Sequence, residues 1–167
     1  MFTHLLRNRN KFARRLSGLA IVFAAVIMTT ASVSANGSNC FQVRGHYDEH
    51  IAGEGQFAGT FRGAIKGDFA TTVIPPFPII NPPVNNVALF YANTVLYAKV
   101  HGKQGDLLIA NAGAVQLTGD GNIVDVQIIT GGTGELTGAT GTIRASGLFD
   151  FSAGEGSSEY EGMICLP

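Results

Sequence analysis

Between Phe41 and Leu166, apolar and polar residues alternate in segment after segment, and no stretch sustains a 3.6-residue period. Side chains on a strand point to opposite faces in turn, so this pattern predicts an all-β fold. Phe57, Gly59, Phe61, Gly63, Ile65, Gly67 and Phe69 form one face of a single expected strand, with Thr60, Arg62, Lys66 and Asp68 on the other. Ile143, Ala145, Gly147, Phe149 and Phe151 form a second such face, opposed by Arg144, Ser146 and Asp150. Both apolar faces are expected to look inward. Further strands are expected near 41–47, 70–74, 87–101, 106–112, 123–130 and 159–166, for about eight in all. Inner faces that alternate aromatics with glycine suit a strongly curved sheet, because glycine relieves crowding on the concave side. The expected architecture is a closed, eight-stranded antiparallel up-and-down β-barrel.

Two segments interrupt the alternation. Ile128 to Ile143 holds Gly131, Gly132, Gly134, Gly138 and Gly141 between two β-prone runs, and reads as a tight reversal in an antiparallel sheet. Residues 74–86 contain five of the six prolines and read as an extended, polyproline-like loop. That loop is either a stiff connector or a surface that docks a partner through Phe77, Ile79 and Ile80.

Charge changes the picture at the N-terminus. Arg7, Arg9, Lys11, Arg14 and Arg15 are followed by the apolar run Leu19 to Met28, with no acid before residue 36. This order predicts a signal peptide over residues 1–35, cleaved after Ala35 in Val33-Ser34-Ala35, with an uncleaved anchor as the alternative. Arg14-Arg15 leaves the route open between general and twin-arginine export. Residues 36–167 are then a single barrel domain, secreted or periplasmic, with no membrane span. They keep six basic residues against twelve acids, a formal charge of −6 that argues against a nucleic-acid partner. The two cysteines, Cys40 and Cys165, lie close to the ends of that domain, and a disulfide between them would clasp its termini. Two free thiols are the alternative. Asn36-Gly37-Ser38 is a glycosylation sequon if the host glycosylates.

The run Ile129-Thr130-Gly131-Gly132-Thr133-Gly134-Glu135-Leu136-Thr137-Gly138-Ala139-Thr140-Gly141 resembles the allene oxide cyclase and dirigent β-barrel superfamily, as a strand, a Gly-Gly-x-Gly turn and a following Gly-Ala-x-Gly. Gly105-Asp106 is similar to a Gly-Asp pair that those cyclases carry upstream of it. The resemblance implies an eight-stranded antiparallel barrel with an apolar cavity. It also implies chemistry of one kind: members cyclise an unstable oxylipin epoxide or guide the coupling of phenoxy radicals, while many exported bacterial relatives have no known activity. Related barrels assemble into dimers and trimers, so an oligomer is compatible with it. The families' active-site residues lie outside the glycine block and have no residue-by-residue match in this chain.

Candidate chemistry is sparse. His46-Tyr47-Asp48-Glu49-His50 spells H-x-x-E-H, which holds zinc when a helix puts both histidines on one face. Flanked by Gly45, Gly53 and Gly55, it reads here as a solvated polar turn at a strand end, and no metal site is expected. The Gly132 to Gly138 spacing does not match a dinucleotide fingerprint, and no nucleophile has an identifiable base. No cofactor is expected.

The expected site is the barrel interior, with Phe61, Ile65, Phe149 and Phe151 lining a cavity of several hundred Å³. Tyr91, Asn93 and Tyr97 would supply its polar groups, if they face inward. The opposite face of the same strand, with Phe90, Ala92, Leu96, Ala98 and Val100, is the competing interior. The resulting expectation is an exported barrel that binds a small apolar molecule or serves as a non-catalytic structural module. The alternatives are a cyclase- or isomerase-like or dirigent-like enzyme, and a surface protein that contacts a partner through its proline-rich loop.

Overall fold

A computed structural model describes residues 39–76, 79–80 and 86–167; the segment expected to be a signal peptide, residues 1–35, and Phe77 lie outside them. Nine strands follow one another: β1 (Asn39–Gly53), β2 (Gln56–Gly63), β3 (Ile65–Val73), β4 (Ile79–Ile80), β5 (Val87–Val100), β6 (Lys103–Gln116), β7 (Asn122–Gly132), β8 (Thr140–Asp150) and β9 (Glu155–Leu166). Leaving aside the two-residue β4, each pairs antiparallel with the next, β3 pairs with β5, and β9 returns to β1. The result is a closed, eight-stranded up-and-down barrel. Closure satisfies every sheet edge, which an open sheet of this size would leave unpaired. The short β4 lies on the proline-rich connection and pairs with Leu89 and Ala88 of β5, so the segment is not wholly a loop.

The seam between β1 and β9 places Cys40 opposite Cys165, and the two form a disulfide. It closes a separation of 125 residues, for which the chain-entropy model gives about 5 kcal/mol.

The run from Phe57 to Phe69 is two strands. β2 and β3 reverse at Gly63-Ala64, where Gly63 has φ 113°, so that Phe61 pairs with Gly67. A reversal centred on Ala64 leaves the alternation in phase, and the residues named as one face do remain on one side of the sheet. The count of eight survives because the strand expected at 70–74 is the end of β3, which runs to Val73.

Aromatic rings lie over glycines directly across the ladder. Tyr160 faces Gly45, Phe69 faces Gly59, Phe90 faces Gly113 and Phe149 faces Gly156. A Cβ at each of these glycines would stand 2.4 to 2.9 Å from the ring opposite. The glycines are therefore the space into which the rings fold, and this lets a narrow barrel hold so many aromatics.

The two ends differ. One is closed by the start of β1, the end of β9 and the β7–β8 connection, which includes a 3₁₀ turn at Gly134–Leu136. Leu136 and Ala139 are fully buried against Ile65, Val100, Leu107, Ile143, Ile164 and Leu166. The glycine block is thus a plug rather than the tight reversal its composition suggested. Thr133 fastens it to β6, and Gly105 leaves room for it: a Cβ there would stand 2.0 Å from the Thr133 carbonyl oxygen. The other end carries the connections at 54–55, 117–121 and 151–154, and there the interior stays open.

Candidate functional site

Strand alternation decides which side chains meet inside the open half. On β1 it turns Val43, Tyr47 and Glu49 inward and His46, Asp48 and His50 outward. The H-x-x-E-H segment is therefore mid-strand, not a polar turn, and its histidines do not converge. Among the described residues no cluster of histidine, cysteine or carboxylate side chains could hold a metal ion. On β7, Asp125 and Gln127 point inward; on β5 and β6, Thr94 and Asn111 do so; on β3, Thr71.

These groups form a polar belt between two sets of aromatic rings. Below it, Tyr47 stacks on Phe61 with ring centroids 4.7 Å apart, and both meet Phe69 edge-on. At the rim, Phe149 packs edge-on against Phe57 at 5.6 Å and is tilted against Phe151 at 5.0 Å. The space enclosed is about 60 Å³, open toward the solvent. This is far smaller than the several hundred Å³ expected, because the rings that fold over the glycines fill the interior from the wall inward. By the measure in which one water needs roughly 10 to 15 Å³, it holds a few waters or the end of a small ligand.

Within the belt, the Gln127 side-chain amide donates to both oxygens of Asp125, at 3.3 and 3.2 Å. The hydroxyls of Thr71 and Thr94 lie 2.5 Å apart, and Asn111 Nδ2 donates to Thr94 Oγ1 at 3.3 Å. Among the described residues that line the cavity, two buried atoms lack a hydrogen bond, Glu49 Oε1 and Asn111 Oδ1. Unsatisfied buried polar atoms are uncommon in folded proteins, and these two face the same cavity.

Burial pushes the Glu49 carboxyl up to about 7, and the neighbouring Asp125 adds to the rise. Asp125 itself is raised to about 6 by burial, against which the Gln127 amide works. Burial, and then the two carboxylates, hold the Tyr47 hydroxyl well above its ordinary value. Among the described residues, no basic side chain lines the cavity. A carboxyl with such a value near neutrality exchanges protons readily, which is the property that acid–base chemistry needs.

Of the residues expected in the site, Phe61 and Phe149 line the cavity and Phe151 stands at its mouth, 42% exposed. Ile65 is fully buried in the packed half and does not reach it. Tyr91, Asn93 and Tyr97 point outward; Tyr97 is 57% exposed and its hydroxyl accepts a hydrogen bond from Gln104 on the outer wall. They lie on an exposed face with Val95, Leu108, Val124, Val126 and Ile128. The competing interior, with Phe90, Ala92, Leu96, Ala98 and Val100, is the one that faces inward, as the alternating burial along β5 shows. Glu49, Asp125, Gln127 and Asn111 were not expected in the site. Extending the alternation of Phe41, Val43, Gly45 and Tyr47 by one step would have placed Glu49 inside.

No family model matches the chain, and no similar sequence was found among curated proteins. Solved structures similar to this chain include two dirigent proteins. The pterocarpan synthase dirigent protein PsPTS1 aligns over 77% of this chain and 96% of its own, at 12% identity and a TM-score of 0.31. The pterocarpan synthase dirigent protein GePTS1 aligns over 85% and 99%, at 13% identity and a TM-score of 0.34. Neither likeness carries an argument about this chain, whose barrel and site are read from its own residues. Among the described residues, no helix is long and apolar enough to cross a membrane. The disulfide is consistent with export.

Proposed function

We propose that this chain is an exported barrel that seats a small, largely apolar molecule in its open half, with the polar belt fixing one end of it. The observation that carries the reading is an aromatic-walled cavity in which buried Glu49 and Asn111 oxygens lack partners. A purely structural barrel would gain stability by filling that place with apolar side chains, since buried unsatisfied groups cost about 1–3 kcal/mol each. The volume supports a ligand that enters end-first and leaves part of itself among Phe57, Phe149 and Phe151, rather than one swallowed whole.

A second reading, an isomerase- or cyclase-like enzyme, is supported by Glu49, whose carboxyl sits in the cavity with a value near neutrality. It would give or take a proton on a ligand held by the rings. Export with removal of residues 1–35 belongs to the same proposal and is supported by the disulfide.

Native mass spectrometry of the protein purified from its own host tests the reading. The expected spectrum shows a non-covalent small molecule that is lost in an Ala92→Phe variant, whose ring would occupy the cavity. A spectrum of bare chain from both proteins, with no ligand recovered from a host extract, would contradict it. Incubating the recovered ligand with wild-type and Glu49→Gln protein separates binding from turnover, because only an acid–base enzyme would convert it in a Glu49-dependent way.

A further inference from the structure

The donors and acceptors of the cavity are unbalanced in one direction. Gln127 Nε2 is engaged on Asp125, and Asn111 Nδ2 is engaged on Thr94. What remains unused in the cavity lining is Glu49 Oε1 and Asn111 Oδ1. Above about pH 7 Glu49 is ionised and accepts without donating, so an occupant that satisfies this set must bring donors.

The charge is unbalanced in the same direction. Two carboxyls, Glu49 from β1 and Asp125 from β7, face one cavity. Each of the six basic residues after residue 35, Arg44, Arg62, Lys66, Lys99, Lys103 and Arg144, is described, and none of them lines it. Arg62 is committed to Asp48 on the outer wall, and Lys103 to the Pro167 carbonyl at the closed end. His46, His50 and His101 are exposed. The groups facing Glu49 and Asp125 are therefore each other, the Tyr47 hydroxyl, neutral amides and hydroxyls, and aromatic rings, whose faces attract cations.

We propose that the belt is a cation-recognition subsite, and that the molecule taken by the barrel is an organic amine whose ammonium group lies between Glu49 and Asp125 while its apolar part rests on the rim aromatics. The inference rests on the container reading above and names the class of its ligand. An ammonium supplies the donors that the orphaned acceptors lack and the charge that the two carboxylates lack. A neutral alcohol supplies a donor but no charge. On binding, the ammonium holds both carboxylates ionised, so the protons they carry near neutrality are released.

The test compares benzylammonium with benzyl alcohol, its neutral counterpart of nearly equal size, by calorimetric titration of the disulfide-bonded chain at pH 8 and pH 5. The expected result is at least tenfold tighter binding of benzylammonium at pH 8, shrinking at pH 5 as the carboxyls protonate. Glu49→Gln is expected to abolish that preference while leaving benzyl alcohol bound. Glu159→Gln, which removes an exposed outer charge, is expected to leave the preference intact. Equal binding of both probes, or a preference that survives Glu49→Gln, would overturn the cation subsite and leave the container reading standing. Binding of neither probe would overturn both.

Discussion

The backbone amide of Asp106 donates to Thr133 Oγ1 at 3.0 Å, and the same hydroxyl donates to Asp106 Oδ2 at 3.0 Å. A third bond, from the Thr133 amide to the Asp106 carbonyl at 2.9 Å, completes a brace between β6 and the plug. Thr133→Val keeps the shape and removes the two hydroxyl bonds, and at this exposed site should cost about 1 kcal/mol. Leu136→Ala empties the plug itself and should cost about 2–5 kcal/mol. Urea unfolding of the two variants checks the order. If Thr133→Val proved the more damaging, the brace and not the buried leucine would close the barrel.

Removing the Cys40–Cys165 clasp acts on the unfolded chain. A Cys40→Ser, Cys165→Ser double variant should lose about 2–5 kcal/mol, because the bond restricts nearly the whole barrel sequence. The unfolding midpoint in urea, compared with and without the bond, reads this directly. A loss below about 1 kcal/mol would mean that the β1–β9 ladder alone determines the seam.

The interior carboxyls give stability a definite pH dependence. Glu49 at about 7 and Asp125 at about 6 hold protons more tightly in the folded chain than in the unfolded one, where 4.5 and 3.8 apply. Their protonated forms are tolerated inside and their charged forms are not. Their effect is thus absent below about pH 4, and stability falls as pH rises from there to about 7. Glu49→Gln should flatten that fall and leave the variant about 1–3 kcal/mol more stable than wild type at pH 8, with little difference at pH 4. Parallel denaturation series at the two pH values measure it. A variant less stable than wild type at pH 8 would mean that Glu49 has a counter-charge.

Tyr160 ties two strands from inside the wall. Its hydroxyl accepts from the Ile65 amide at 2.9 Å and donates to the Ile65 carbonyl at 3.2 Å. Tyr160→Phe leaves both backbone groups buried and unpaired, so it should cost about 1–3 kcal/mol and speed hydrogen exchange at the start of β3. Unchanged protection of the Ile65 amide would contradict this role.

The scaffold was legible in the chain because aromatic–glycine alternation is a direct consequence of curvature, and the Gly45–Tyr160 and Gly59–Phe69 pairs bear it out. The hairpin at Gly63-Ala64 was not, since its geometry keeps the period in phase. The site was less legible for two reasons. Gly45 was read as a turn signal, although it is a strand residue that makes room for the Tyr160 ring, and this hid the inward path to Glu49. On β5 the polar tyrosines suggested an interior site, but the phase of the strand puts Ala92, Thr94, Leu96 and Ala98 on the inner face and leaves Tyr91 and Tyr97 outside.

That contrast supplies the most direct test of the central claim, that the site lies within the barrel and not on its outer wall. The side-chain amides of Asn111 and Gln127 lie in the belt, whereas that of Asn93 is outside on β5. Titrating the nitrogen-15 labelled protein with benzyl alcohol should shift the Asn111 and Gln127 amide signals and leave Asn93 unmoved. Shifts at Asn93 with Asn111 and Gln127 unchanged would contradict the account.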